Sequence, residues 1–372
     1  MRTELDLREL GDRLKMVDQH IVALLAQRME LARQVERYKR HRGQPIIRFE
    51  VEDDRLNKIA GLARERGLNP NFLFSLFYSI IAESCRVQIN QMQIEPVVVE
   101  DISLQQLKDN LLSLTKEIAP LYDQSYGQDF FATKLYLELE ESTFKREIGT
   151  LKGLDNLDLA VDLGCATGKI TFKLAESFRR VIGYDISEAM IQEARNKLGR
   201  GSYSNVEFKV ADIDEGILEE NESVSLAVMN LGTASDVTNL RRVLAGIRRI
   251  LKPNGRFILS FYNSSALLYK CWFIPWPVSL AASINHVKHC LDVRLKDKVF
   301  SIHARPHNVK EVQGLIRQAG LKVSEILTYP TISSILPNEF FEEEGMQKII
   351  ADIDRQLIAK ESGAYILVTG RS

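Results

Sequence analysis

The run Asp162-Leu163-Gly164-Cys165-Ala166-Thr167-Gly168 puts small residues at alternate positions between a short apolar stretch and a helical segment that starts at Lys169. Residues without bulk at such a turn let backbone approach a ligand that a longer side chain would exclude. Asp185 closes the next apolar run, VIGYD, with Ile186 after it, and lies 17 residues beyond Gly168. A carboxylate there can take both hydroxyls of a ribose in a bidentate grip. Met190, one turn into the following helix, can cover an adenine face. Asp212 ends the third apolar run in VADID, where its carboxylate can accept from an adenine amino group while the Ile213 amide meets the ring. Asn230 closes the fourth run, SLAVMN, and with Leu231 borders the place left for the remaining arm of such a nucleoside ligand.

Positioning these residues takes an α/β scaffold. From Leu159 the apolar runs LAVDL, VIGYD, VEFKV, SLAVMN, RFILSFY, LKVSEIL and AYILVTG are separated by amphipathic helical segments. That alternation implies a Rossmann-like parallel sheet covered by helices on both faces, with ligands at the carboxyl ends of its strands. The dinucleotide spacing GxGxxG is absent, because Gly164, Ala166 and Gly168 follow a tighter alternate spacing. Cys165 reads as a space-filler within the turn and not as a nucleophile.

The chain before residue 93 is different in kind. Leu10, Leu14, Val17, Ile21, Leu24, Arg28, Leu31, Val35 and Tyr38 recur in steps of four and three, the seam of one long helix. A helix from about residue 3 to 41 is about 55 Å long at 1.5 Å per residue. Two shorter helices follow, around 50–66 and 71–93, and neither spans it, so the expected cover is the same helix of a second chain. Arg28 interrupts the seam and Lys39 lies three turns on. In the last helix Phe77, Ile81, Ser84 and Gln88 share a stripe, so two polar side chains replace apolar ones. Buried polar groups need partners. Arg28, Lys39, Ser84 and Gln88 either converge on an anionic ligand such as a dicarboxylate, or Arg28 pairs with a carboxylate such as Glu52 in a structural network.

Composition narrows the classes further. Lys+Arg 49 against Asp+Glu 50 leaves no positive excess for a phosphate backbone, so nucleic acid is not an expected partner. No apolar stretch approaches the roughly 20 residues of a membrane span, and the start of the chain lacks the apolar core of a signal peptide, which points to a cytoplasmic protein. Cys85, Cys165, Cys271 and Cys290 show no metal-ligand spacing, so no metal is expected. IEPVVVED at 94–101 breaks the helical pattern. The expected division is a helical domain at 1–93, a connector at 94–114 and an α/β domain at 115–372, with an insertion at about 263–306.

The first segment, LGDRLKMVDQHIVALLAQRMELARQVERYKRHRGQPI with IIAESCRVQ downstream, resembles the all-α chorismate mutase family, whose intertwined dimers bind chorismate between helices. The resemblance implies pocket residues Arg28, Lys39, Glu52, Ser84 and Gln88, and a chorismate- or prephenate-like ligand. Three family positions depart: the arginine reached across from the partner falls at Gly11, the helix-two arginine at Val51 and the pocket aspartate at Arg48. Losing carboxylate clamps costs transition-state positioning, for which Arg8, Arg13 or Arg48 would have to compensate.

Residues 115–372 resemble the class I S-adenosylmethionine-dependent methyltransferases, including the late antiparallel hairpin of LKVSEIL and AYILVTG at the end of a seven-stranded sheet. The resemblance implies S-adenosyl-L-methionine as cofactor, held by Asp162, Gly164, Ala166, Gly168, Asp185, Ile186, Met190, Asp212, Ile213, Asn230 and Leu231. Ala166 stands where many members have glycine. Methyl transfer from a sulfonium needs alignment and exclusion of water more than an acid or base. The acceptor pocket is expected from a lid around Tyr122 and Tyr126 and from the insertion, whose SALLYKCWFIPWPVSLAASINH carries Trp272 and Trp276 and suits a flat acceptor. Tyr126 and His303 are the candidate groups beside the acceptor; of His286, His289 and His307, the last precedes Asn308, an expected N-cap. The expected whole is a homodimeric methyltransferase of a small aromatic or carboxylate-bearing metabolite. The alternatives are a bifunctional mutase and methyltransferase, or an enzyme that alters the cofactor with prephenate.

Overall fold

The computed structural model describes residues 7–41, 49–92, 102–125, 130–270, 282–285, 289–295, 298–336 and 338–372. The chain falls into two compact units, one holding the N-terminal helices and the other beginning at Ile102.

In the first unit, α1 (Leu7–His41), α2 (Phe49–Glu65) and α3 (Pro70–Met92) are the long helix and two shorter ones that the seam demands. Asn69 Oδ1 accepts from the Asn71 and Phe72 amides at 2.9 and 3.3 Å, which caps α3 ahead of Pro70. Leu56 of α2 meets Tyr78 and Ile81 of α3 in a small core that Phe74 and Phe77 extend. Helix α1 packs against α3 and buries Ala32 and Glu36. The eight apolar members of the seam all remain exposed, from Leu10 at 38% to Leu14 at 65%. Among the described residues of this unit, nothing covers the stripe.

The second unit is a Rossmann-like α/β fold around a seven-stranded sheet of order β3-β2-β1-β4-β5-β10-β9. Its strands are β1 (Leu159–Leu163), β2 (Arg180–Asp185), β3 (Val206–Val210), β4 (Val224–Met229), β5 (Leu251–Tyr262), β9 (Lys322–Tyr329) and β10 (Tyr365–Arg371). The first five pair in parallel, and β10 runs antiparallel to both β5 and β9, the hairpin expected from the sequence. Every residue of β1 and β4 is buried, as strands covered on both faces must be. One face carries α9 (Leu240–Ile250) and the helix Val309–Gln318, whose Leu244, Ile247, Val312 and Ile316 pack on Val161, Ala227 and Phe257. The other carries α6 (Phe131–Gly153) and α7 (Lys169–Ala175), through Tyr136, Phe144, Leu151, Ile170 and Leu174. The strand order reverses between β1 and β4, so the carboxyl ends of β1, β2 and β4 open a crevice.

Helix α4 (Leu104–Ile118), capped by Ser103, occupies the second half of the connector stretch, and α5 (Tyr122–Ser125) follows it. The insertion after β5 holds the short α10 (Leu267–Lys270) and then a second, three-stranded antiparallel sheet that the sequence reading did not anticipate: β6 (Ala282–Asn285), β7 (Cys290–Leu295) and β8 (Lys298–His303). Leu114 of α4 seats between Phe300 and Ile302 of β8, so α4 belongs to this unit's packing. Asn308 forms a full capping box with Glu311, as the sequence predicts.

Candidate active site

The turn after β1 is built by backbone that only small residues tolerate. Gly164 and Gly168 sit at φ 80° and 85°, in the left-handed region. A Cβ on Gly164 would come to 2.5 Å of Thr233 Cγ2, and one on Gly168 to 2.6 Å of Phe208 Cζ. Ala166 also takes positive φ, at 45°, so alanine occupies a conformation that costs an L-residue about 1–2 kcal/mol. Its amide donates to Asp185 Oδ2 at 2.8 Å, while Asp185 Oδ1 accepts from the Ser187 amide at 2.9 Å. Asp185 thereby ties the two turns together and keeps further lone pairs on both oxygens. Burial raises its carboxyl above the usual range against those two amides.

Asp162, wholly buried at the root of the turn, accepts from Thr171 Oγ1 at 2.7 Å through Oδ2, while its Oδ1 has no hydrogen-bond partner among the described residues. Burial lifts its pKa to about 7. Cys165 is buried between these carboxylates and its thiol is pushed well above the ordinary range, first by burial and then by their charge, which suits a filler and not a nucleophile.

Lid residues reach the turn from α5. Thr167 Oγ1 donates to Asp123 Oδ1 at 2.6 Å, and Lys197 on α8 (Glu188–Arg200) donates to Asp123 Oδ2 and, at 3.0 Å, to the Thr167 carbonyl. Burial works against the Asp123 charge, but Lys197 and Thr167 outweigh it and hold the carboxyl below its usual range. After β3, Asp212 is held by two donors: Lys108 of α4 donates to its Oδ2 at 2.5 Å and the Asp214 amide to its Oδ1 at 3.0 Å. Ile213 follows it, half-buried against the core. Met190 is likewise buried, at 2% exposure, with its amide capped by Ser187.

A cavity of 540 Å³ opens on this turn. Gly164 to Thr167 border it on one side, Asn230, Leu231, Thr233 and Asp236 on another, and Glu140 of α6 on a third. Leu231, at φ 46°, donates its amide to Glu140 Oε1 at 3.0 Å. Tyr122 lines the cavity; Tyr126, Trp272, Trp276 and His286 lie outside the described residues. His303 does not line it. It sits half-buried at the end of β8, its imidazole lowered by burial. His307 is buried edge-on to Phe261 and pushed down to about 4, again by burial.

Sequence reasoning missed Glu140, Asp236, Asp123 and Lys108. One signal for Glu140 was available, since Tyr136, Glu140, Phe144, Glu147 and Leu151 fall on a single helical stripe. Among the described residues no group of His, Cys, Asp and Glu is arranged to hold a metal.

In the first unit Ser84 and Gln88 are buried and Arg28 half-buried, so the polar stripe does face inward. Ser84 Oγ and Gln88 Nε2 donate to carbonyls one turn back, at 2.8 and 3.2 Å, leaving Gln88 Oε1 buried without a partner among the described residues. The side chains of Lys39 and Glu52, and those of Arg48 and Val51, lie outside the described residues.

Residues 10–89 match the family described as chorismate mutase type II, and residues 155–320 match the family described as methyltransferase domain. A demethylmenaquinone methyltransferase of Tropheryma whipplei is 28% identical over 150 residues, covering 40% of this chain and 60% of that protein. The demethylmenaquinone methyltransferase of Lactococcus lactis subsp. lactis is 37% identical over 119 residues, 31% of this chain and 44% of that one. The chain thus spans about half the length of these curated relatives. A solved S-adenosylmethionine-dependent methyltransferase from Mesorhizobium loti overlaps 57% of this chain and 90% of its own at 18% identity and TM-score 0.39, a likeness too slight to build on.

The site fits the cofactor of such a domain: two glycine positions where a Cβ would collide, and a buried carboxylate oxygen at the turn that awaits a donor. The chain joins a chorismate mutase type II domain at residues 10–89 to a methyltransferase domain at residues 155–320.

Proposed function

We propose that the protein methylates a small metabolite, aromatic or carboxylate-bearing, in the cavity beside the glycine turn, and that it does so as a cytoplasmic homodimer. The observation that carries the reading is the Asp185 carboxylate at the carboxyl end of β2, fixed by the Ala166 and Ser187 amides, where it can accept from both hydroxyls of a ribose. The cofactor supplies a methyl group on a sulfonium. Gly164, Ala166 and Gly168 give its backbone-close seat, Asp162 a carboxylate beneath it, and Ile186, Met190, Asp212 and Ile213 the adenine end, with Asn230 and Leu231 along its amino-acid arm. Asp212 would reach an adenine amino group while still held by Lys108, since a carboxylate has acceptor sites beyond the two in use. Tyr122, Tyr126 and the insertion at about 263–306 shape the acceptor side and keep water out; Tyr126 is the candidate beside the acceptor, whereas His303, at the end of β8, does not line the cavity. The relatives named for demethylmenaquinone favour a flat acceptor.

Dimerisation through residues 1–93 is supported by the uncovered seam of α1, where at about 25 cal/mol per Å² each 100 Å² left wet forgoes about 2.5 kcal/mol. The pocket of Arg28, Lys39, Glu52, Ser84 and Gln88 would hold an anionic chorismate- or prephenate-like ligand between chains. Three of the family's pocket positions are occupied here by Gly11, Val51 and Arg48, so rapid isomerisation is not part of the proposal. Incubating the full chain with methyl-labelled cofactor and a metabolite extract should label one extract component. Cofactor recovered with its label intact, and no labelled product, would overturn the assignment.

A further inference from the structure

The buried stripe of α6 contains two carboxylates, and they are treated differently. Glu147 has cations: Arg256 Nε lies 3.1 Å from its Oε2 and Arg146 Nε 3.4 Å from its Oε1. Glu140, 1% exposed, takes the Leu231 amide on Oε1 and has the Tyr136 hydroxyl acting on it from one turn back, although that hydroxyl is itself bonded to Ser260 Oγ at 2.5 Å; Glu140 Oε2 has no partner at hydrogen-bond distance, and no ion pair forms with it among the described residues. Lys173 acts on Glu140 from α7, but its ammonium is held by Glu141 at 3.1 Å. Asp162 repeats the pattern on β1, with Oδ2 bound by Thr171 and Oδ1 without a donor, and the two carboxyls feel each other's charge. A buried acceptor left unpaired costs about 1–3 kcal/mol, more when charged, so Glu140 on the cavity lining, with Asp162 buried beneath the glycine turn, marks a place for donors that a ligand brings.

We propose that Glu140, with Asp162 behind it, receives the α-ammonium group of the cofactor's amino-acid arm. The inference rests on the cofactor reading above and adds to it a residue from outside the glycine turn. A primary ammonium offers three N–H donors and a positive charge, which answers both orphaned oxygens in number and sign. Glu140 also fixes the Leu231 amide, so the same side chain sets the backbone along which that arm must lie. An amine on the methyl acceptor has the same chemistry, and the measurement below separates the two sources.

The groups that face Glu140 are Tyr136 on its own helix, Asp162 on β1 and Lys173 on α7. Burial holds both carboxyls near about 7, so the pair gains its charge through the neutral range and its grip on an ammonium strengthens as pH rises. Calorimetry on the full chain, with S-adenosylhomocysteine, its analogue with hydrogen in place of the α-amino group, and 5′-methylthioadenosine, tests this. The wild type should prefer S-adenosylhomocysteine over the deamino analogue by roughly tenfold or more at about pH 8, and by less at about pH 6. Glu140→Gln should bring that preference to within about threefold while 5′-methylthioadenosine binds both proteins alike. Equal binding of the two analogues by the wild type would assign the ammonium to the acceptor and overturn the proposal, as would an undiminished preference in Glu140→Gln. If that variant fails to fold, seen as lost 5′-methylthioadenosine binding, the wild-type series decides alone, and a pH-independent preference overturns the proposal. Failure of all three ligands to bind would instead sink the cofactor reading.

Discussion

Replacing Ala166 with glycine should stabilise the methyltransferase unit, against the usual direction of alanine-to-glycine changes. Ala166 is held at φ 45° because its amide must meet Asp185 Oδ2, 2.8 Å away. That conformation costs an L-residue about 1–2 kcal/mol, and glycine adopts it freely. Glycine in turn loses about 0.5–1 kcal/mol more entropy than alanine on folding. The difference leaves a gain of about 0.5–1 kcal/mol, a rise in Tm of about 1–4 °C for a unit of this size. Ala166→Val at the same position adds a β-branched side chain to positive φ and should lose about 2 kcal/mol or more. Scanning calorimetry and urea unfolding of the three proteins give the comparison. The amide survives both changes, so Asp185 stays tied and S-adenosylhomocysteine affinity in Ala166→Gly should stay within about threefold of wild type. A glycine variant destabilised by more than about 0.5 kcal/mol would show that the turn is not strained, and the reasoning would fail.

Glu140 offers a second test, through stability. Burial raises its folded pKa from 4.5 to about 7, so its protonated form favours folding and the contribution, complete below about pH 4.5, is lost as pH rises through about 7. The stability difference between Glu140→Gln and the ligand-free wild type should therefore shift in favour of the variant by on the order of 3 kcal/mol between pH 4 and pH 8; a pH-independent difference would contradict it. Gly168→Ala should cost about 2 kcal/mol or more by unfolding, because the added Cβ meets Phe208 at 2.6 Å from a backbone already at φ 85°. Charging the exposed seam of α1 with Leu14→Glu and Leu24→Glu should give a monomer by light scattering, with S-adenosylhomocysteine binding unchanged; a wild type already monomeric at micromolar concentration would end the dimer proposal.

The sheet, its hairpin and the glycine turn were legible because each is written in adjacent residues: continuous apolar runs for buried strands, and small residues where backbone crowds. The long first helix was legible from the same kind of periodicity, and its seam is exposed among the described residues. What escaped was set by contacts between distant segments. Glu140 hid in the run ELEE, which reads as a solvated face until Tyr136 and Phe144 are counted on its stripe. Lys108 lies 104 residues from the Asp212 it holds, and nothing local marks that pair. The strands β6 to β8 went unread because the apolar, aromatic composition of the insertion drew attention to ligand binding and away from the alternation in LDVRL and KVFSIH.

The central claim is that the turn after β1 and Asp185 together hold S-adenosylmethionine. Calorimetric titration of the full chain with that cofactor, beside the Asp185→Ala protein, tests it most directly. One molecule should bind per chain, and the variant should bind on the order of 10- to 100-fold more weakly, because two charge-assisted hydrogen bonds to the ribose are lost. Absence of binding to the wild type, or equal affinity in the variant, would contradict the account.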